Sequence, residues 1–208
     1  IKINNNKITL DFSNEFYDIR KEDEKKALEI ITYNMTSIGN IDEVYIYVNG
    51  EKLAKFNSGN TVSMPLTKKD GVNIENDAYN YKDAKLVTIY YVSRSMDGYY
   101  FIPVSKATND KRENVKIIID ELKSTPIFQS GLMSFLNYNT KLLDYKLDKD
   151  EMTLNFNNYL YDDEYQKTIS EEVIYSISLS MRDNYNAKEV IFNVNGNEIT
   201  KSVIKNIE

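Results

Sequence analysis

The sequence predicts an α/β (α+β) protein. It reads as two tandem two-layer sandwich domains, each a mixed sheet with two helices on one face, the first of them incomplete. Three observations carry this. Eleven residues near the start, Ile8–Asp18 (ITLDFSNEFYD), recur with small changes at Met152–Asp162 (MTLNFNNYLYD). Each copy is followed by a helix-length stretch with apolar residues at a spacing of three to four. Each then closes on a strand that ends in Val-Asn-Gly.

The repeat extends beyond its core. Lys2–Asp18 aligned with Lys146–Asp162 gives seven identities in seventeen positions, 144 residues apart. Ile41–Leu53 pairs with Ala187–Ile199, 146 residues apart. The two-residue slip falls between helix and strand, where loops absorb insertions at little cost. A period of this length marks a tandem of domains and not a solenoid of short repeats.

Each element has a local cause. KITLDF and EMTLNF alternate apolar and polar side chains with β-branched and aromatic residues, the pattern of a half-buried strand. NNN and DKD just before them mark tight hairpin turns from a preceding strand, IKI in the first copy and KLLDYKL in the second. In the second copy Thr168 and Glu171 predict a capping box, and Val173, Ile174, Ile177 and Met181 a buried stripe. Ala27, Leu28, Ile31 and Met35 predict the same stripe in the first copy. EVYIYV and EVIFNV close on Asn-Gly, a strong turn signal.

The second copy has more material in front. LVTIYYVS and YYFIPV predict a hairpin around SMDG. A helix follows, capped by Asp110 and Glu113, with Val115, Ile118, Ile119 and Leu122 as its stripe and Thr125-Pro126 as its stop. Two helices with apolar faces predict one sheet to cover them. The first copy lacks a counterpart of residues 85–144. Truncation or processing inside that domain is the expected reason, with completion of the sheet by a neighbouring chain as the alternative. Residues 1–75 therefore read as the C-terminal half of a first domain, 76–84 as a linker, and 85–208 as a complete second domain. Residues 54–84, polar and rich in Gly, Asn and Asp, read as a tail plus that linker.

Composition narrows the function. The chain has 208 residues, 41% hydrophobic and 28% charged, ordinary for a globular protein. A net charge of -6 without a basic stripe argues against nucleic acid as a partner and against docking on an anionic membrane. No apolar run reaches the ~18 residues of a spanning helix, so no membrane insertion of this segment is expected. Without Cys there is no disulfide or thiolate chemistry, and without His the usual general base near neutral pH is missing.

The residues ENVKIIIDELKSTPIFQSGLMSFLNYNTKLLDYKLDKDEMTLNFNNYL, then a helix, then AKEVIFNVNG, resemble the GerMN domain family. Gly131 and Leu132, Thr140–Leu143, Thr153–Phe156 and Val194–Gly196 occupy that family's motif positions. Thr9–Phe12 (TLDF) matches its usual strand, and Gly59–Leu66 (GNTVSMPL) looks like the tail after its Asn-Gly turn. The chain departs from the pattern in the loop, with Thr125-Pro126 for the usual Gly-Pro and LNYN where a Pro precedes TKLL. The resemblance implies sporulation or germination proteins of endospore formers, lipid-anchored or secreted at the cell envelope, with a fold similar to ring-building domains. It implies a non-enzymatic assembly role near the channel between mother cell and forespore, with protein partners or further copies of the chain.

Asp162, Asp163 and Glu164 are the only catalytic-carboxylate or calcium candidates, and contiguous acids at a helix entry fit a solvated cap better. Asn49-Gly50 and Asn195-Gly196 are turn residues that could serve as recognition tips. Tyr90, Tyr91, Tyr99 and Tyr100 fit strand packing or a partner face. Tyr99, Tyr100 and Phe101 would form the aromatic platform of a glycan-binding module for cortex or wall, the alternative function. No catalytic residue, cofactor or metal is expected.

Overall fold

The computed structural model describes residues 1–124 and 130–204. The chain divides into two compact units, the first spanning Ile1–Asn73 and the second beginning at Ile74.

The first unit is one sheet and one helix. Strands β1 (Lys2–Asn4), β2 (Lys7–Phe12), β3 (Glu43–Val48) and β4 (Glu51–Lys52) lie in the order β1-β2-β3-β4. β2 and β3 run parallel, so they need a crossover, and helix α1 (Glu24–Met35) supplies it. Ile8, Leu10, Val44, Ile46 and Val48 form the core. The expected stripe of α1 is only half-buried at Ala27, Leu28, Ile31 and Met35. Its buried residues are Glu24, Thr32 and Tyr33. Glu24 is 2% exposed and is satisfied there by Ser58 Oγ and Asn60 Nδ2, each donating at 2.7 Å.

The segment expected to be a polar tail belongs to this core. Leu53 and Phe56 are buried, Val62, Met64 and Leu66 pack against them, and Leu66 forms a bridge with Val44. The polar letters of this stretch hid one apolar residue every few positions. That is enough for a loop to pack without regular structure.

The second unit opens with β5 (Glu75–Asn76), β6 (Lys85–Ser95) and β7 (Gly98–Thr108), then α2 (Asn114–Lys123) and β8 (Leu132–Met133). β9 (Leu142–Asp148), β10 (Glu151–Phe156), α3 (Glu171–Tyr185), β11 (Glu189–Val194) and β12 (Asn197–Val203) follow. The α+β character is as expected. The strands, however, hydrogen-bond as two four-stranded sheets, β12-β11-β10-β9 and β5-β7-β6-β8, where one sheet was predicted. One core joins them: Val87, Ile89 and Tyr91 of β6, Val115 and Ile118 of α2, and Ile177 of α3 belong to a single cluster that also holds Met152, Leu154 and Phe192.

The two sheets stay separate because α3 occupies a strand edge. β8 covers the outer edge of β6 only at Val92 and Ser93. Further along that edge Ser180 Oγ accepts the Tyr90 N–H at 2.9 Å, and Asn184 bonds the backbone of Thr88. Side chains one helical turn apart thus stand in for a neighbouring strand, which an exposed edge otherwise invites.

Three local expectations are corrected. The N-cap of α3 is Ser170, whose Oγ accepts from Val173 N, while Thr168 pairs with Asp163 in the preceding loop. At α2 Glu113 is the N-cap without a side-chain bond, and Asp110 holds Arg112 instead. The linker expected over 76–84 is paired: β5 runs parallel to β7, and Asn80 and Asn109 exchange hydrogen bonds at 2.8 and 3.1 Å. The Thr125-Pro126 helix stop lies outside the described residues. The predicted stripe of α2 is buried in full.

Candidate functional site

The repeat is visible as matched geometry. In the first unit Ile8 pairs with Val44 and Phe12 with Val48; in the second Met152 pairs with Val190 and Phe156 with Val194. On the other side Thr9 faces Lys2, and Thr153 faces Lys146. Every pair obeys the sequence offsets, so the duplicated segments are corresponding strands.

The Val-Asn-Gly tips are built alike. Asn49 and Gly50 have φ of 52° and 78°, Asn195 and Gly196 of 47° and 82°. Two successive positive φ values suit a tight hairpin turn, and Asn-Gly tolerates them. Gly50 N–H donates to Asp11 Oδ1 at 3.0 Å, and Gly196 N–H to Asn155 Oδ1 at 2.8 Å. Asn49 N–H and Asn195 N–H donate to the carbonyls of Phe12 and Phe156, both at 2.9 Å. These N–H groups are engaged within their own unit, which gives the tips a structural task.

Tyr99, Tyr100 and Phe101 are successive residues of β7, so Tyr100 points to the face opposite the other two. The expected three-residue platform therefore does not form. Tyr99 meets Phe135 edge-on at 5.6 Å, and Phe101 meets Tyr175 of α3 at 5.6 Å. The result is a strip of four rings on one face, with Tyr99, Phe135 and Tyr175 each more than 40% exposed. Phe135 and Tyr175 escaped the sequence reading because a loop and a helix supply them. Tyr90 and Tyr91 are buried.

Asp162, Asp163 and Glu164 lie in a loop and not at a helix entry, since α3 begins seven residues beyond Glu164. Asp163 Oδ1 accepts the N–H groups of Tyr165 and Gln166 at 2.8 and 2.9 Å, which closes a turn. Among the described residues no three of His, Cys, Asp or Glu converge as a metal site. A charged cluster between α3 and β6 is structural. Tyr90 Oη donates to Asp183 Oδ2 at 2.6 Å, and Arg182 bonds both Asp183 and Tyr90. Burial opposes the Arg182 charge, yet the Asp183 carboxylate and Tyr90 hydroxyl hold its pKa above the usual value.

The sequence profile of the Germane family, described as "Sporulation and spore germination", matches residues 1–54 and 88–200. This chain belongs to the Germane family.

The relatives agree with the geometry. The spore germination protein GerM of Bacillus subtilis (strain 168) is 36% identical over 192 residues, 89% of this chain and 52% of GerM. The chain thus spans about half the length of that curated relative. The solved structure of the tandem GerMN domains of the sporulation protein GerM from Bacillus subtilis superimposes with a TM-score of 0.82 at 32% identity. It covers 92% of this chain and 68% of that one. The tandem organisation inferred from the duplicated strands is the organisation of this Germane relative. Among the described residues no helix is long and apolar enough to cross a membrane.

Proposed function

We propose that this Germane chain is a non-enzymatic assembly module of the sporulating cell envelope. It acts outside the cytoplasm, lipid-anchored or secreted, at the channel complex between mother cell and forespore. The observation that carries the reading is the outer border of each duplicated sheet. β1 and β9 are border strands in equivalent register, and both present apolar residues to solvent: Ile3 at 61% exposure and Leu147, its repeat partner, at 40%. A border strand carries backbone donors and acceptors ready to pair with another strand, and apolar side chains add to the association. Protein partners of the envelope complex, or further copies of this chain, are the occupants.

The chain contains no Cys, so a single introduced thiol reports one position cleanly. Leu147→Cys and Ile3→Cys should give crosslinked adducts in sporulating cells with a short thiol-reactive linker, and the fully exposed control Tyr165→Cys should not. Equal labelling at all three positions overturns the reading.

The ring strip favours a second reading, the binding of cortex or wall glycan, because sugar faces stack on exposed aromatic rings. It requires Tyr99→Ala and Phe135→Ala to abolish retention on purified cortex glycan. Unchanged retention removes it.

A further inference from the structure

The second unit has a groove of about 310 Å³ between α2 and the start of β9, lined by Arg112, Lys116, Ile119, Asp120, Lys123, Lys141 and Leu142. Four cations thus converge on one concavity of a chain whose net charge is -6. Asp120 is the single carboxylate in the lining, and it is fully engaged. Arg112 Nη1 reaches its Oδ2 at 2.6 Å, and Lys123 Nζ its Oδ1 at 2.7 Å. The other side of the Arg112 guanidinium is taken by Asp110, with Nη2 at 2.7 Å from Oδ2. Among the described residues Lys116 and Lys141 have no ion-pair partner. One stands on the exposed side of α2 and the other just before β9, so both face the groove from opposite walls.

We propose that this groove binds a phosphate group carried by a small polyol or sugar. Like charges gathered without partners repel one another, and a dianion in the groove relieves that repulsion. The chemistry of the uncommitted donors selects the ligand. A guanidinium fork would favour a planar carboxylate, but the fork of Arg112 is already occupied by Asp110 and Asp120. What remains are two ammonium groups, compact charges with several donors each, which suit the tetrahedral and doubly charged phosphate. Ile119 and Leu142 supply an apolar floor for the carbon skeleton. The volume admits a phosphorylated triol or hexose but no folded partner. The groove takes only the first residue of β9, Leu142, five residues from Leu147, and its charge chemistry does not depend on the assembly reading.

The test is a titration of the isotope-labelled chain, followed by backbone amide resonances. Inorganic phosphate, glycerol 1-phosphate and acetate are the probes, at matched ionic strength and near-neutral pH. Saturable shifts confined to residues 112–123 and 141–142 are expected with both phosphates and not with acetate. Tighter binding of glycerol 1-phosphate marks a phosphorylated polyol as the source, and equal binding marks free phosphate. The double substitution Lys116→Gln, Lys141→Gln should weaken binding about tenfold or more, the loss of two charge-assisted bonds. Lys116→Arg with Lys141→Arg should retain it. Both lysines are exposed, so the fold survives either pair, and unchanged resonances elsewhere verify this. Acetate matching phosphate, no saturable shift, or undiminished binding in the glutamine variant overturns the proposal.

Discussion

The side-chain amide of Asn184 clasps the backbone of Thr88: its Oδ1 accepts the Thr88 N–H at 3.3 Å and its Nδ2 donates to the Thr88 carbonyl at 2.7 Å. The same Nδ2 donates to the Ser180 carbonyl within α3 at 2.8 Å, which fixes the amide's orientation. A helix residue therefore completes the edge of β6. Asn184→Ala removes both bonds to Thr88 and should cost about 1–3 kcal/mol. Urea denaturation followed by circular dichroism measures the loss.

The repeat places Phe12 and Phe156 at equivalent positions with unequal burial. Phe156 is fully buried in the large core, whereas Phe12 only packs against the edge of the small one. Phe156→Ala should cost about 3–5 kcal/mol, the range for an aromatic removed from a close-packed interior. Phe12→Ala should cost clearly less. Chemical denaturation with amide exchange resolved by unit separates the two effects.

Lys106 of β7 bonds Asp77 at 2.7 Å and Glu121 of α2 at 2.8 Å, with its side chain 15% exposed. Burial works against the ammonium, but the bonds to Asp77 and Glu121 outweigh it and raise the pKa above the lysine value of 10.5. A cation whose folded pKa is raised contributes stability that is fully present below its unfolded pKa. That stability is lost as pH climbs through the folded value. The wild type should therefore lose stability above pH 10.5 more steeply than Lys106→Met. Lys106→Met should be less stable at neutral pH, because two carboxylates lose their partner. Melting temperatures taken from pH 7 upward test both statements.

Ser178 of α3 is fully buried, and among the described residues its hydroxyl finds no hydrogen-bond partner. An unsatisfied buried hydroxyl costs about 1–3 kcal/mol. Ser178→Ala should therefore leave stability unchanged or raise it, unlike most truncations in a core. The shift in denaturation midpoint decides.

Much of the fold was legible because local signals agreed. Strand alternation in KITLDF and EMTLNF, Asn-Gly at both hairpins and the stripe of α2 all follow from short-range sequence. What failed to show depended on distance. The Ser180 and Asn184 side chains look like ordinary polar residues of a helix, yet they decide that the second unit has two sheets. Ser170 displaced the predicted cap Thr168 because Asp163 draws Thr168 into the loop. The aromatic strip takes one ring from a loop, two from a strand and one from a helix, which no linear stretch announces. The cationic groove likewise unites α2 with the start of β9, twenty-five residues apart from Lys116 to Lys141.

Helix α3 carries Val173, Ile177 and Met181 into the shared core and reaches the β6 edge with Ser180 and Asn184. Neither sheet can be peeled away without disturbing the rod that both lean on. Pulled from its ends, the second unit should yield in one rupture and not strand by strand.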